Sequence, residues 1–234
     1  MSAARLRSMV RVVAVDGPAG SGKSSVCRGV AGRLGYRYLD TGAMYRAITW
    51  AVLRAGIDPS DSDAVREFAG LPSIISGTDP LEPTIAVDGI DVSDPIRTPE
   101  VTGAVSAVSA VPAVRDRLVE LQRSHAEAAE WAGAGIVVEG RDIGSVVLPA
   151  AGLKVFLTAD PEIRALRRAR EQAGTDTVGE QSLTETGAAL SRRDAYDASR
   201  AASPMTQAPD AVVVDTTEMT LDQVIDRVCA LVQG

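Results

Sequence analysis

One segment near the start of the chain has the residue types and spacing of a phosphate-binding loop. Residues 17–24 read Gly-Pro-Ala-Gly-Ser-Gly-Lys-Ser and match the pattern G-x-x-x-x-G-K-[ST] in full. The glycines allow successive backbone N–H groups to turn toward an anion, and the helix predicted next adds its positive end. In such a loop Lys23 can reach the β- and γ-phosphates, and the Ser24 hydroxyl can ligate Mg²⁺. The loop therefore predicts binding of a nucleoside triphosphate.

Lys23 is one of the few lysines in a chain whose positive charges are mostly arginines. Only Lys23 and Lys154 are lysines among the 24 basic residues, and the others are arginines. A lysine ammonium is a compact point charge, whereas an arginine guanidinium is a planar fork. The choice of lysine at position 23 fits a site that needs a compact ammonium.

Arginines concentrate where a second anion site would fall, and the guanidinium fork suits a phosphate. They are Arg46, Arg141, Arg164, Arg167, Arg168, Arg170, Arg192, Arg193 and Arg200. Arg141 directly follows a predicted strand, and the 164–168 group shares one face of a predicted helix at spacing i, i+3, i+4. A kinase whose acceptor is itself phosphorylated needs such a site beside its donor. For the 164–168 group, a solvated helix face remains an open alternative.

The rest of the sequence narrows the reaction. The base-specifying Asn-Lys-x-Asp segment of GTPases is absent, because neither Lys23 nor Lys154 has those neighbours. A mechanochemical ATPase would carry an acidic Mg²⁺ partner after an apolar strand, and the nearest candidate is Glu139. The size of the chain favours a small-molecule kinase. Two alternatives stay open: a phosphotransferase with a different acceptor, and an ATP-dependent switch without catalysis.

The elements that must position these residues alternate between strand and helix. Short apolar runs predict strands over 10–15, 36–39, 136–138, 155–157 and 212–214. Apolar residues at helical spacing predict helices over 22–35, 43–55, 113–131, 161–173, 181–199 and 220–232. This alternation is typical of an α/β fold with a five-stranded parallel sheet covered on both faces. Ligands bind at the carboxyl ends of the strands in such sheets.

The alternation stops between about 58 and 98. Within that stretch two alternating runs over 84–93 flank the dipeptide Asp88-Gly89. Asp-Gly between such runs is a strong hairpin signal, because both turn residues must take positive φ. The pattern predicts a small β-containing subdomain inserted into the α/β fold. A surface hairpin without a role is the alternative.

Composition excludes several classes of protein. The 234 residues carry a net charge of −7, with 45% hydrophobic and 3% aromatic residues, so the chain is a poor general binder of nucleic acid or anionic membrane. Two cysteines do not make a disulfide scaffold, and one histidine cannot form a histidine metal cluster. Neither a signal peptide nor a membrane span is predicted. We expect a cytoplasmic protein with reduced thiols, monomeric by default.

Five blocks of the sequence resemble the bacterial cytidylate kinases, in the order in which that family has them. The blocks are Asp16-Gly-Pro-Ala-Gly-Ser-Gly-Lys23, Leu39-Asp-Thr-Gly-Ala-Met-Tyr-Arg46, Ile96-Arg-Thr-Pro-Glu-Val101, Glu139-Gly-Arg-Asp-Ile-Gly144 and Arg193-Asp-x-x-Asp197-x-x-Arg200. Many families share the first block, and the second and fourth are much more specific. Thr41 replaces the serine of some members, and Glu139 replaces the aspartate of many. The resemblance spans nearly the whole chain.

The resemblance implies one phosphate-loop kinase domain over 1–234 that converts ATP and CMP or dCMP to ADP and CDP or dCDP. Its α/β fold has three layers, with a core over about 9–57 and 132–234. A CMP-binding insertion would span about 58–131, and a helical lid about 161–200. ATP would be used with Mg²⁺, the metal held in part by Ser24. Catalytic roles would fall to Lys23, Arg141, Asp142 and Arg193, in pyrimidine nucleotide metabolism.

The resemblance also implies which residues form the ATP site and which form the CMP site. The ATP site would consist of Gly17, Pro18, Ala19, Gly20, Ser21, Gly22, Lys23, Ser24, Ser25, Arg164, Arg167 and Arg168. The CMP phosphate would lie among Thr41, Tyr45, Arg46, Arg141 and Arg200. Arg193 and Asp197 would hold the ribose hydroxyls, and Ser106, Arg115 and Asp142 would read the cytosine. Without the resemblance, Ser106 would be interpreted as a small helix-packing residue and Asp197 as a surface acid.

Overall fold

The computed structural model describes residues 10–175, 177–199 and 205–234. The strands are β1 (Val12–Asp16), β2 (Arg37–Asp40), β3 (Ile74–Ser76), β4 (Ile85–Val87), β5 (Ile90–Asp91), β6 (Ile136–Glu139), β7 (Leu153–Thr158) and β8 (Val212–Asp215). The α-helices are α1 (Lys23–Leu34), α2 (Thr41–Arg54), α3 (Ser62–Phe68), α4 (Pro99–Ala110), α5 (Pro112–Trp131), α6 (Pro161–Ala173), α7 (Glu180–Ser199) and α8 (Leu221–Gln233). A 3₁₀ turn covers Pro95–Arg97, and a π-helical turn covers Ile143–Val147.

The central sheet has five strands in the order β2-β6-β1-β7-β8, and every neighbouring pair is parallel. This confirms the predicted fold class. The pairing places Glu139 beside both Val15 and Asp40, and Asp16 beside Phe156. The carboxyl ends of the three strands that carry the candidate blocks therefore meet at one edge of the sheet.

Both faces of the inner strands β1 and β6 are buried, so these strands are almost continuously apolar. Val13 and Val15 of β1 pack with α1 and α8, whereas Ala14 between them packs with α2 and α5. Successive strand residues point to opposite faces, which is why one apolar run serves two helical layers. The result is the predicted three-layer arrangement.

The inserted region continues the core on one side of the sheet. Strands β3, β4 and β5 form a small antiparallel sheet. Asp88 and Gly89 both take positive φ at its hairpin turn, as the dipeptide predicts. Ile85 and Val87 pack in the same cluster as α2 and α5. The small sheet is thereby tied to the main fold by buried apolar side chains.

Several elements of this region were not predicted from the sequence. Helix α3 is a short helix capped by the Asp61 side chain, and α4 covers a stretch for which the sequence predicted no bounded element, although Ser106 within it was interpreted as a helix-packing residue when the resemblance is set aside. Pro99 and Pro112 look like helix breakers, yet each occupies the first turn of a helix, where proline lacks only an N–H that is unpaired anyway. Strand β3 was also missed, because only pairing with β4 makes its three residues a strand.

No helix among the residues that the structure describes is long and apolar enough to cross a membrane.

Candidate active site

The phosphate loop joins β1 to α1 in a conformation that its glycines make possible. Gly17 has φ +148°, and a Cβ there would lie 2.1 Å from the Leu157 carbonyl oxygen. Gly20 and Gly22 also have positive φ. The backbone can turn back on itself at these positions because side chains are absent. Helix α1 begins at Lys23, so its N-terminal N–H groups face the loop.

Lys23 is buried at the base of this loop. Its Nζ donates to the Pro18 carbonyl oxygen at 2.6 Å and to Ser21 Oγ at 3.4 Å. Burial lowers the pKa of Lys23 to about 7, and the positive charge of Arg141 acts in the same direction. An anion bound in the loop would stabilise the ammonium and oppose that shift.

A buried carboxylate faces the loop from the end of β6. Glu139 Oε1 accepts hydrogen bonds from Ser24 Oγ and from Tyr38 OH, each at 2.8 Å. Burial raises the pKa of Glu139 to about 7, and the Asp40 charge adds to that rise. Among the described residues, Glu139 Oε2 has no hydrogen-bond partner. The sequence singled out Glu139 only as the acid nearest to an ATPase pattern, but the strand register brings it directly opposite Ser24.

The loop opens into a cleft of about 650 Å³ between the sheet edge, the insertion and helices α6 and α7. Most of the predicted site residues line it: Ala19, Gly20, Gly22, Lys23, Ser24, Ser25, Thr41, Tyr45, Arg46, Ser106, Arg115, Arg141, Asp142, Arg168, Arg193 and Asp197. Gly17, Pro18, Ser21, Arg164 and Arg167 are not among its lining residues. Arg200 lies outside the described residues.

Four of the arginines form a concentrated positive cluster in this cleft. Burial, together with the charges of Arg141 and Arg46, lowers the pKa of Arg193 to about 10. Burial also lowers the pKa of Arg46, and Arg168 and Arg141 contribute to that shift. Within the cluster, Arg141 Nε donates to Asp197 Oδ2 at 3.3 Å. Guanidinium groups held this close together favour the binding of an anion.

A buried ion pair lies deeper along the same cleft. Arg115 of α5 donates to Asp142, which directly follows Arg141, and only 5% and 8% of the two side chains is exposed. The Arg115 guanidinium also lies over the Tyr45 ring, 5.7 Å from its centroid. Ser106 of α4 is half-buried and lines the cleft as well. Three separate elements thus present a carboxylate, a guanidinium and a hydroxyl to one space.

Thr41 takes part in the scaffold of the cleft. It is the first residue of α2, and its Oγ1 donates to the Glu139 carbonyl oxygen at 2.7 Å. Asp40 caps the same helix by accepting from the Ala43 N–H. The second block of the sequence therefore starts a helix whose N-terminus faces the cleft.

The arginines of α6 divide between different partners. Arg164 forms an ion pair with Asp194 of α7 and donates to the Ala19 carbonyl oxygen at 3.1 Å. Asp194 in turn accepts from the Ala19 N–H at 3.2 Å. Sequence reasoning missed Asp194, although it lies beside Arg193. Arg167 turns away and donates to Oγ1 and the carbonyl oxygen of Thr216, so the shared helical face does not bring all three arginines to the cleft.

A parallel sheet of this order, with a glycine-rich phosphate loop beside an arginine cluster, defines the class of phosphate-loop kinases. The model of the cytidylate kinase family matches residues 13–234, and the chain belongs to this family. It is 59% identical over 222 residues to the cytidylate kinase of Streptomyces avermitilis, covering 95% of this chain and 92% of that protein. It is 53% identical over 223 residues to the cytidylate kinase of Mycobacterium leprae, covering 95% of each.

The fold also occurs in a solved structure with little sequence similarity. An uncharacterized protein of Eubacterium ventriosum has a TM-score of 0.50 to this chain at 12% identity, over 95% of this chain and 98% of that one. At that identity the likeness concerns the fold alone.

Proposed function

We propose that this protein transfers the γ-phosphoryl group of ATP to CMP and dCMP, giving CDP and dCDP. The observation that carries the proposal is the single cleft in which the phosphate loop, the arginine cluster and the Arg115–Asp142 pair lie together. A donor anion site, an acceptor anion site and a group that can read a base are the three parts this reaction needs. Membership of the cytidylate kinase family supports the same acceptor.

On the donor side, the loop N–H groups and Lys23 would hold the β- and γ-phosphates of ATP. The attacking group is an oxygen of the CMP phosphate, which is already anionic, so no strong general base is required. The residues contribute by aligning the two phosphates and by neutralising charge as the phosphoryl group moves. Arg168 and Arg193 line the cleft on the lid side and would supply part of that charge.

The residues beside the loop fit Mg²⁺, which prefers oxygen ligands. Ser24 Oγ and the Glu139 carboxylate are adjacent, and among the described residues Glu139 Oε2 has no hydrogen-bond partner. Ser24 would hold the metal directly, with Glu139 beside it. When bound, the metal supplies charge neutralisation to the β- and γ-phosphates.

On the acceptor side, Arg46 and Arg141 would hold the CMP phosphate together with Tyr45, Thr41 and Arg200. Arg193 and Asp197 would hold the ribose hydroxyls. Arg141 already shares a hydrogen bond with Asp197, which would connect the phosphate contacts to the ribose contacts. The half-buried guanidinium groups of Arg46 and Arg141 would make this a strong site for a dianion.

The base would be chosen by complementary donors and acceptors. Cytosine carries a donor at N4 and acceptors at N3 and O2, whereas uracil reverses the first two. Asp142 and Ser106 can accept from N4, and Arg115 can donate to N3 and O2. Uracil would leave buried groups in this site unpaired, which discriminates strongly.

An acceptor screen with coupled detection of ADP tests the proposal. We expect CMP and dCMP to stimulate ADP formation far more than UMP, AMP or small alcohols do. Fast turnover with another acceptor would instead indicate a different phosphotransferase of the same fold. Nucleotide binding without any stimulated turnover would indicate an ATP-dependent switch.

The cellular setting is proposed on the same footing. A net charge of −7 disfavours nucleic acid and anionic membrane as partners. We propose a monomer that acts in the cytoplasm on ATP and CMP or dCMP. Sedimentation at micromolar concentration checks the monomer.

A further inference from the structure

The loop that carries Arg141 and Asp142 is held by a carboxylate from another strand. Asp16, the last residue of β1, lies directly before the phosphate loop and is only 4% exposed. Its Oδ1 accepts from the Ile143 N–H and its Oδ2 from the Gly144 N–H, each at 2.8 Å. These two N–H groups open the π-helical turn that follows Asp142. Asp16 therefore satisfies both of these terminal donors of the turn.

This arrangement decides what Asp142 can do. Asp142 occupies the capping position of the turn, and aspartate at such a position commonly caps with its own side chain. Here Asp16 takes the N–H groups, and the Asp142 carboxylate accepts from Arg115 instead. In this structure the Asp142 side chain makes no capping hydrogen bond to the turn. The capping by Asp16 thus makes Asp142 available to Arg115.

The surroundings of Asp16 fix its geometry tightly. A Cβ at Gly144 would lie 3.4 Å from Asp16 Oδ2 and 3.2 Å from the Lys154 methylenes. The Lys154 ammonium itself binds Asp210 on the far side. The charged groups that act on Asp16 are Asp142, which repels it, and Lys23, which attracts it. The carboxylate is therefore packed between the phosphate loop and the turn that carries the acceptor-site residues.

We propose that Asp16 is a positioning residue for acceptor choice: it holds the 143–147 turn so that Asp142 and Arg115 face the base. The proposal rests on the proposed function, since base choice has meaning only if the acceptor is a nucleotide. It assigns to a residue next to the ATP loop an effect on the acceptor site. The effect acts through Asp142, and ATP binding depends on it little.

The test is Asp16→Asn, which keeps the shape of the side chain but replaces one accepting oxygen with an NH₂ group. That NH₂ group would face the N–H of Ile143 or Gly144 and could not accept from it. We expect the CMP-over-UMP ratio of kcat/KM to narrow by about tenfold, with KM for ATP changed by less than about threefold. Both rates come from one sample, so partial unfolding cancels in the ratio. Asp210→Asn is the control for general loosening near Lys154, and it should leave the ratio unchanged.

A double-mutant cycle separates action through Asp142 from an independent effect. On an Asp142→Asn background, Asp16→Asn should narrow the CMP-over-UMP ratio of kcat/KM little further. The Asp142 carboxylate, through which Asp16 acts, is then already absent. Full additivity of the two changes, or a wild-type ratio in Asp16→Asn, overturns the proposal. If Asp16→Asn does not fold, Gly144→Ala is the deciding variant, because its Cβ would press on the Asp16 carboxylate. The CMP-over-UMP ratio of kcat/KM should then narrow by about threefold. A wild-type enzyme without CMP turnover would instead overturn the proposed function.

Discussion

At the scale of single residues, the site depends on charges that are buried before any ligand arrives. Lys23, Glu139 and Arg193 all have pKa values displaced by burial toward their neutral forms. Removing such groups from water is unfavourable, and oppositely charged ligands recover the loss. A cleft lined by such groups therefore favours the binding of phosphates together with a cation.

Replacing Lys23 with alanine should lower turnover by about a hundredfold to a thousandfold, because the loop loses its only cationic side chain toward the transferred group. The fold should survive, since Lys23 makes hydrogen bonds only within the loop among the contacts described here. Steady-state kinetics and thermal unfolding measure the two effects. Arg33→Ala on the same helix is the control, as its partners are exposed acids. A Lys23→Ala enzyme with most of its activity would contradict the loop's role.

Replacing Asp142 with asparagine should lower kcat/KM for CMP by roughly tenfold to a hundredfold and narrow the CMP-over-UMP ratio. The new NH₂ can face the uracil O4, which the carboxylate would repel. Disturbing the neighbouring Arg141 would slow both acceptors equally, so the ratio is the decisive quantity. Asp116→Asn on the exposed face of α5 serves as the control. An unchanged ratio would assign Asp142 to positioning Arg141 alone.

At the scale of elements, the segment between β3 and β4 connects the insertion to the donor side of the cleft. Arg28 of α1 donates to the carbonyl oxygens of Pro80 and Leu81, at 2.8 and 3.0 Å. The Tyr38 N–H donates to the Thr78 carbonyl oxygen at 2.9 Å. The segment thus spans the cleft and contacts the helix that begins at the phosphate loop.

CMP binding should slow hydrogen exchange in residues 77–84, because a filled cleft gives this segment a second surface to pack against. The measurement compares the protein with and without CMP at matched pH. Helix α8, on the opposite face of the sheet, is the internal control, and its hydrogen-exchange rates should be the same with and without CMP. An exchange pattern without change anywhere in residues 58–115 would exclude a substrate-closing role for the insertion.

At the scale of the whole molecule, one apolar cluster runs from the sheet through α2 and α5 into the small sheet. The side of the cleft that Arg46 of α2 and Arg115 of α5 line is thereby continuous with the core of the protein. Asp16 lies where that core meets the phosphate loop, and burial raises its pKa to about 6. Its titration should therefore register in the stability of the entire fold.

The pH dependence of stability should carry this signature. The folded pKa of Asp16, about 6, lies above its ordinary value of 3.8, so the folded state holds the proton more tightly. The resulting stabilisation is complete below about pH 4 and is lost as the pH rises through about 6. Relative to Asp16→Asn, the wild type should lose on the order of 3 kcal/mol between pH 4 and 7. Urea unfolding at several pH values measures the difference, and parallel curves for the two proteins would contradict it.

The sequence by itself determined the parts of this protein that depend on neighbouring residues. Apolar runs predicted all five strands of the main sheet, and local spacing predicted the phosphate loop and the Asp88-Gly89 turn. These features follow from backbone preference and periodicity within about ten residues. The resemblance to the family then implied that Arg115 and Asp142 belong to one site, and the structure brings these two together in an ion pair.

The tertiary structure alone decided which distant groups meet. Glu139 reaches Ser24 because strand register aligns β6 with β1, and Asp16 meets Ile143 because the turn after β6 folds back over the β1 end. Arg167 leaves the cleft for Thr216 because α6 presents that position to the segment after β8. Such partners lie 49 to 127 residues apart in the chain, so they depend on how helices rotate and strands align in the whole fold. No local pattern encodes that choice, because packing of the whole core determines it.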